Sequence, residues 1–386
     1  SERLGRFPGG RAAFQKSDGT KYVAGDLWKQ PDLAKTLERI ARRGRAGFYE
    51  GDTADMLVGE MRRHGGLISH DDLRDYRSVW RDPIVGAYRD YSVVSMPPPS
   101  SGGALLIQIL NMMEPFAVGA MGYGSADVMH LMVEAERRAY ADRAEHLGDP
   151  DFYRVPLQQL VDKGYARQRF KGFDPDRAGI SAGVNAGAFA HESKETTHLS
   201  IMDRNGNAVA LTTTLNSGYG SHIVVEGAGF LLNNEMDDFS SKPNTLNQFN
   251  LIGREANAIE PRKRMLSSMT PTIVLREGKP FLVTGSPGGS TIITTVLQVV
   301  VNVIDHGMAL SAAVSSPRFH HQWVPDSITV EADGFGPGTL DVLRDKGHLN
   351  IRPQRYGLGD ANSIMRVNGV LHGVEDPRTR GGAAGY

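Results

Sequence analysis

Thr196 is placed where a weak nucleophile can be made a strong one. The run Thr196-Thr197-His198-Leu199-Ser200-Ile201-Met202 and the run Ala208 to Thr214 flank Asn205-Gly206. An Asn-Gly dipeptide between two strand patterns signals a two-residue hairpin turn. In that register Thr197 faces Thr214 and Thr196 faces Leu215, so the open end of the hairpin sets Thr196 beside Thr214 and Asn216. A threonine hydroxyl needs a base at hand before it attacks a carbonyl. Cutting the Glu195–Thr196 bond would free an α-amine on Thr196. The reference pKa of such an amine is about 7.7–8.0, so one residue would supply nucleophile and general base together. Thr214 would orient the hydroxyl. Ser181–Ser193, built largely from Ser, Ala, Gly and Asn, reads as a flexible linker just ahead of the cut. Branched threonines also suit strands for packing reasons alone, and the pattern by itself leaves that reading open.

Other groups could complete such a site. Gly285-Ser286-Pro287-Gly288-Gly289-Ser290 lies between a strand pattern and an apolar helix pattern. Glycines there let backbone N–H groups approach a ligand, as an oxyanion hole requires. A tight strand-to-helix turn would need the same residues. The loop is no phosphate-binding P-loop, since it has no Lys at the required place. Asn233-Asn234-Glu235-Met236-Asp237-Asp238 offers carboxylates for a substrate ammonium, and Ser267-Ser268 offers hydroxyls for a carboxylate. Taken alone, either group reads first as a solvated turn. His320-His321 is a poor chelate, because neighbours on a strand point to opposite faces. No metal and no cofactor are expected.

Composition limits the function classes. The chain has 386 residues, 40% apolar and 23% charged, enough for one large core or two smaller ones. A net charge of −1 provides no field for nucleic acid or an anionic membrane. With no cysteine, thiolate chemistry and disulfides are excluded. The apolar run Ile292–Ile304 falls short of the roughly 20 residues a spanning helix needs.

The elements that must position these residues follow from periodicity. Asp32 is read as the cap of a helix carrying Leu33, Leu37, Ile40 and Ala41. Further helices are expected over Ala54–Arg63, from Leu105 to Met113, over Ser125–Leu147 and over Thr291–Ile304. Strands are expected at Ile84–Tyr88, Tyr91–Ser95, His198–Met202, Val209–Thr214, Gly229–Leu232, Thr272–Leu275 and Pro280–Thr284. Val367-Asn368-Gly369-Val370 signals a further hairpin. Strands gathered in the second half, between helices, suggest a layered α+β domain.

Several of these stretches together resemble the γ-glutamyltranspeptidases, members of the N-terminal-nucleophile hydrolases. They are Thr196-Thr197-His198, Thr214-Leu215-Asn216, Leu231 to Ser240, Leu266 to Thr272 and Gly285 to Ser290, joined by Met96 to Gly103 and Pro317 to Trp323. The resemblance implies an α+β, four-layer αββα sandwich. It implies autocleavage at Glu195–Thr196 into a heavy portion, 1–195, and a light catalytic subunit, 196–386, intertwined as one domain. Thr196 would be the nucleophile and Thr214 its hydroxyl partner. Asn216, Glu235 and Asp238 would bind the substrate α-amino group, and Ser267 and Ser268 its α-carboxylate. Gly288 and Gly289 would form the oxyanion hole. Pro243–Arg254 resembles a lid loop, with Phe249 where several relatives carry Tyr. Relatives have a long stretch before the point where this chain begins, with an Arg for the α-carboxylate, so the N-terminal part of the heavy subunit is expected to be lacking. The implied substrates are glutathione and other γ-glutamyl compounds, with water, amino acids or peptides as acceptors. The implied location is periplasmic or secreted. A glutaryl-cephalosporin acylase, and an unprocessed binding-only member, are the alternatives.

Overall fold

The computed structural model describes residues 2–184, 196–242, 245, 247–248 and 250–385. Glu195, most of the expected linker and Phe249 lie outside the described residues. The chain divides into two compact units: Ser1–Arg81 with Leu215–Asn234, and Asp82–Thr214 with Glu235–Tyr386. Among the described residues no helix is long and apolar enough to cross a membrane.

The first unit is helical. Pro31–Arg43 begins two residues earlier than an Asp32 cap implies, because Pro31 takes the first helical position and leaves Asp32 in the first turn. Asp52–His64 ends at Gly65, which is left-handed at φ 71°. Ala54, Leu57, Val58 and Leu73 close over Val225 and Ala228 to form a small core. The strand expected at Gly229–Leu232 is not formed. Gly227 and Gly229 both have positive φ, 76° and 75°, so the chain bends, and only an isolated Val224–Leu231 bridge remains.

Among the described residues the second unit holds all the strands: β1 (Ile84–Tyr88), β2 (Tyr91–Ser95), β3 (Thr196–Met202), β4 (Ala208–Thr214), β5 (Thr272–Arg276), β6 (Lys279–Thr284), β7 (Phe319–His320), β8 (Ile328–Glu331), β9 (Ile351–Gln354), β10 (Ser363–Val367) and β11 (Val370–Val374). Six form one sheet in the order β1-β2-β5-β6-β10-β11, with every described pairing antiparallel. Three largely buried helices share the core on one face: α1 (Gly102–Met113), α2 (Ala126–His146) and α3 (Thr291–Ile304). Leu282 of β6 joins their core, whereas Val283 and Gly285 project the other way, as alternation requires. On that second face lies the β3–β4 hairpin, packed against β5, β6 and β10. The order is thus helices, sheet, hairpin.

The hairpin register differs from the expectation by one residue. Thr196 pairs directly with Thr214, and Thr197 with Thr213. The cause is Asp203, whose carboxylate accepts from the N–H groups of Asn205 and Asn207, both at 2.8 Å. That local competition turns the Asn-Gly pair into a three-residue loop with Gly206 left-handed at φ 90°. The second Asn-Gly pair has no such neighbour. Asn368 and Gly369 have φ of 49° and 82°, and Val367 pairs with Val370 as the two-residue turn demands.

Candidate active site

The corrected register puts the two hydroxyls face to face. Thr196 Oγ1 donates to Thr214 Oγ1 at 3.2 Å. Thr196 is half-buried at the first position of β3. Two residues on, the buried His198 fixes the strand to what lies beneath it. Its Nε2 lies 3.0 Å from Ser200 Oγ, which donates to the Asn362 carbonyl, so Nε2 carries the proton and Nδ1 accepts from Thr212 Oγ1 at 2.8 Å. Burial pushes the imidazole pKa down to about 4, so the ring is neutral.

That ring also seats the glycine loop. A Cβ on Gly285 would stand 2.2 Å from His198 Cε1, so the close approach requires glycine. Beyond it Gly288 and Gly289 have φ of 136° and 55°. A Cβ on Gly288 would meet Thr291 Oγ1 at 2.4 Å. Among the described residues neither Gly288 N–H nor Gly289 N–H donates to an acceptor. The loop is tied at its far end, where Tyr140 of α2 donates to the Ser290 carbonyl at 2.6 Å and Ser290 Oγ donates to Gln322 Oε1 at 2.5 Å. Gln322 Nε2 reaches the Asn250 carbonyl at 3.1 Å, joining the glycine loop to the end of the expected lid.

Glu235 and Asp238 share one short helical turn, Glu235–Asp238. Burial raises the Glu235 carboxyl from 4.5 to about 7. Asp238 is raised by burial and by Glu235 and Asp237, against the pull of Arg143. Ser267 and Ser268 are held by a neighbouring loop: Ser101 donates through N–H and Oγ to the Ser267 carbonyl, both at 2.8 Å. The buried Arg143 bridges the pair of loops, with Nε on Ser101 Oγ at 2.9 Å and Nη2 on Ser268 Oγ at 3.3 Å. Burial lowers its pKa to about 10, so it stays charged near neutrality. It forms no salt bridge among the described residues. Asn216 belongs to the first unit, is buried with φ 73°, and donates to the Asn234 carbonyl at 3.1 Å.

The second unit therefore brings Thr196 to Thr214, and it brings Glu235 to Asp238 and Ser267 to Ser268 through chain continuity. Thr196 and Gly288 further share the wall of a cavity of about 710 Å³.

A family model described as gamma-glutamyltranspeptidase matches residues 1–386. The chain belongs to the gamma-glutamyltranspeptidase family. It is 50% identical over 381 residues to the glutathione hydrolase proenzyme of Escherichia coli (strain K12), covering 98% of this chain and 65% of that protein. With the acylase ACY 1 proenzyme of Pseudomonas sp. (strain SE83) the identity is 36%, covering 96% of this chain and 63% of that one. The chain thus spans about two thirds of the length of these relatives. Its fold is similar to that of the cephalosporin acylase from Bacillus halodurans, with a TM-score of 0.83 at 27% identity over 97% of this chain and 66% of that chain. The fold is that of the N-terminal-nucleophile hydrolases, mixed α and β as expected.

Periodicity missed two members of this neighbourhood. His198 and Arg143 reveal themselves only through contacts with Gly285 and Ser268, far away in sequence. Periodicity also gave no sign of a separate buried cluster, His130, Glu134 and His348, whose ligand atoms lie within 4.8 Å of one another. Its members are committed to one another and to cations. His130 Nδ1 is 2.8 Å from His348 Nε2, and Glu134 accepts from Arg137, Arg138 and the Gly179 N–H. His320 and His321 go separate ways, to Thr294 and Gln322 and to Asp326.

Proposed function

We propose that the protein is an autoprocessing γ-glutamyltranspeptidase, a glutathione hydrolase, with Thr196 as the nucleophile. The carrying observation is Thr196 Oγ1 at 3.2 Å from Thr214 Oγ1. It is supported by a glycine loop that shares a cavity wall with Thr196. Cleavage at Glu195–Thr196 yields a heavy portion, 1–195, and a light subunit, 196–386, which stay together as one heterodimer. The new α-amine takes the Thr196 hydroxyl proton as the oxygen attacks the γ-carbonyl. The oxyanion rests on the N–H groups of Gly288 and Gly289. The amine then protonates the departing nitrogen, leaving a γ-glutamyl ester on Thr196. Water, an amino acid or a peptide releases the acyl group. Glu235 and Asp238 hold the donor ammonium. Ser267 and Ser268 hold its carboxylate, with the Arg143 charge directly behind Ser268. The glutathione hydrolase relatives favour glutathione as donor, and the family resemblance favours a periplasmic or secreted location.

The acylase relatives favour a second reading, a glutaryl amidase. A glutaryl group has no ammonium, so it gains nothing from two carboxylates held out of water at a cost in solvation. The discriminating experiment compares γ-glutamyl and glutaryl anilides. The γ-glutamyl compound is expected to be hydrolysed with a kcat/KM at least about 100-fold higher, the worth of one buried charge-assisted pair at about 3 kcal/mol. Equal turnover of both, or preference for the glutaryl compound, would assign the acylase activity instead.

A further inference from the structure

The head group of a γ-glutamyl donor is an α-amino acid, with ammonium and carboxylate on one carbon. The residues assigned to these two charges lie on separate segments, the Glu235–Asp238 turn and the Ser267-Ser268 pair. Each segment must be held in register with the other, or one charge is met at the expense of the second.

One buried side chain spans the two segments. Asn257 ends the short helical turn Glu255–Asn257 and is 3% exposed. Its Nδ2 donates to the Asp238 carbonyl at 2.7 Å, and its Oδ1 accepts from the Leu266 N–H at 3.0 Å. Leu266 is bonded directly to Ser267. These partners, one acceptor and one donor, fix which end of the amide faces which segment. The Asn257 carbonyl adds a third tie, accepting from the Ser240 N–H at 2.8 Å just past Asp238.

The turn that carries Asn257 is itself wedged in place. A Cβ on Gly148, in the loop after α2, would stand 2.0 Å from the Ala256 carbonyl oxygen. A Cβ on Gly253 would stand 2.0 Å from Ser240 Oγ, so the turn closes against the Asp238 side as well. Arg254 pairs with Glu145 of α2, and its carbonyl accepts from the Asn257 N–H at 3.1 Å. With both ends of its amide spent on backbone groups, Asn257 acts on a donor only through the two segments it joins.

We propose that Asn257 is the positioning residue that sets the spacing of the two half-sites, so that the ammonium and the carboxylate of one donor are bound together. The assignment rests on the γ-glutamyl donor reading given above and deepens it. A fixed spacing makes the two charges cooperative: once one is seated, the other meets its partners with little further ordering to be done. Loosening the spacing leaves each half-site able to hold its own charge but removes the advantage of carrying both.

Four anilides in the intact enzyme form the test: γ-glutamyl, glutaryl without the ammonium, γ-aminobutyryl without the carboxylate, and butyryl with neither. In the wild type, the gain in kcat/KM from having both charges is expected to exceed the product of the two separate gains by about 10-fold. In Asn257→Ala that excess should fall below about twofold, while the glutaryl and γ-aminobutyryl compounds change by less than about threefold. Asn257→Ser, which keeps a short hydroxyl, should lie between. Equal losses for all four compounds mark a structural effect and would overturn the proposal, as would an excess that survives in Asn257→Ala. A wild type in which the two gains simply multiply, with the γ-glutamyl compound still the best, would overturn it without any variant and leave the donor reading standing. A wild type that hydrolyses the glutaryl compound as fast as the γ-glutamyl one would instead overturn the donor reading, and the role of Asn257 with it.

Discussion

At the scale of single residues, the chemistry depends on charges held where water is scarce. Glu235 illustrates the cost. Its folded pKa of about 7, against 4.5 when exposed, means the folded protein binds a proton that the unfolded chain releases. The contribution of Glu235 to stability is therefore present below about pH 4.5 and is lost as pH rises through about 7. At about 1.4 kcal/mol per unit, the loss approaches about 3 kcal/mol above neutrality. Glu235→Gln should thus unfold up to about 3 kcal/mol later than its parent near pH 8, with little difference near pH 4. The comparison belongs in substrate-free protein carrying Thr196→Ala, so that a single chain unfolds. Denaturant titration at the two pH values checks it. A Glu235→Gln protein that is less stable than its parent near pH 8 would contradict a carboxyl whose pKa burial has raised. The same substitution should abolish discrimination in favour of γ-glutamyl donors, so stability and selectivity move in opposite directions here.

At the scale of elements, the site is a hairpin clamped to a glycine loop, and the joint is His198 under Gly285. Gly285→Ala drives a methyl into the ring at 2.2 Å and should displace β3, with it Thr196. Self-cleavage should slow markedly and stability should fall by about 1–3 kcal/mol. Removing the ring with His198→Ala in the same chain should recover part of the loss, a coupling of about 1–2 kcal/mol in a double-mutant cycle. Additive effects would separate the two residues. The same joint explains what could be read from sequence. Thr291–Ile304 and the strands of the large sheet follow from apolar periodicity, because local pattern and core demand agree there. The first Asn-Gly turn was misread by one residue because the Asp203 side chain competes for the turn N–H groups, a contact that dipeptide rules ignore. Gly229–Leu232 has strand-like composition, yet its positive-φ glycines override it. His198 and Arg143 acquire meaning only from tertiary contacts, so no spacing rule could find them. Thr196, the glycines and the paired carboxylates were legible because long motifs carried them in order.

At the scale of the whole molecule, everything proposed above turns on one covalent event, the liberation of the Thr196 α-amine. Thr196 begins β3 and faces Thr214, an arrangement that suits a hydroxyl attacking the bond just before it. The described geometry contains no other base bonded to that hydroxyl, so without cleavage Thr196 remains a weak nucleophile. Intact mass, combined with N-terminal sequencing of the smaller species, reads this event directly. The purified wild-type protein is expected to give two chains, the smaller beginning Thr-Thr-His-Leu, and Thr196→Ala is expected to give one uncut chain without amidase activity. A wild-type protein that stays whole yet active, or a Thr196→Ala variant cut at the same bond at the wild-type rate, would contradict the account.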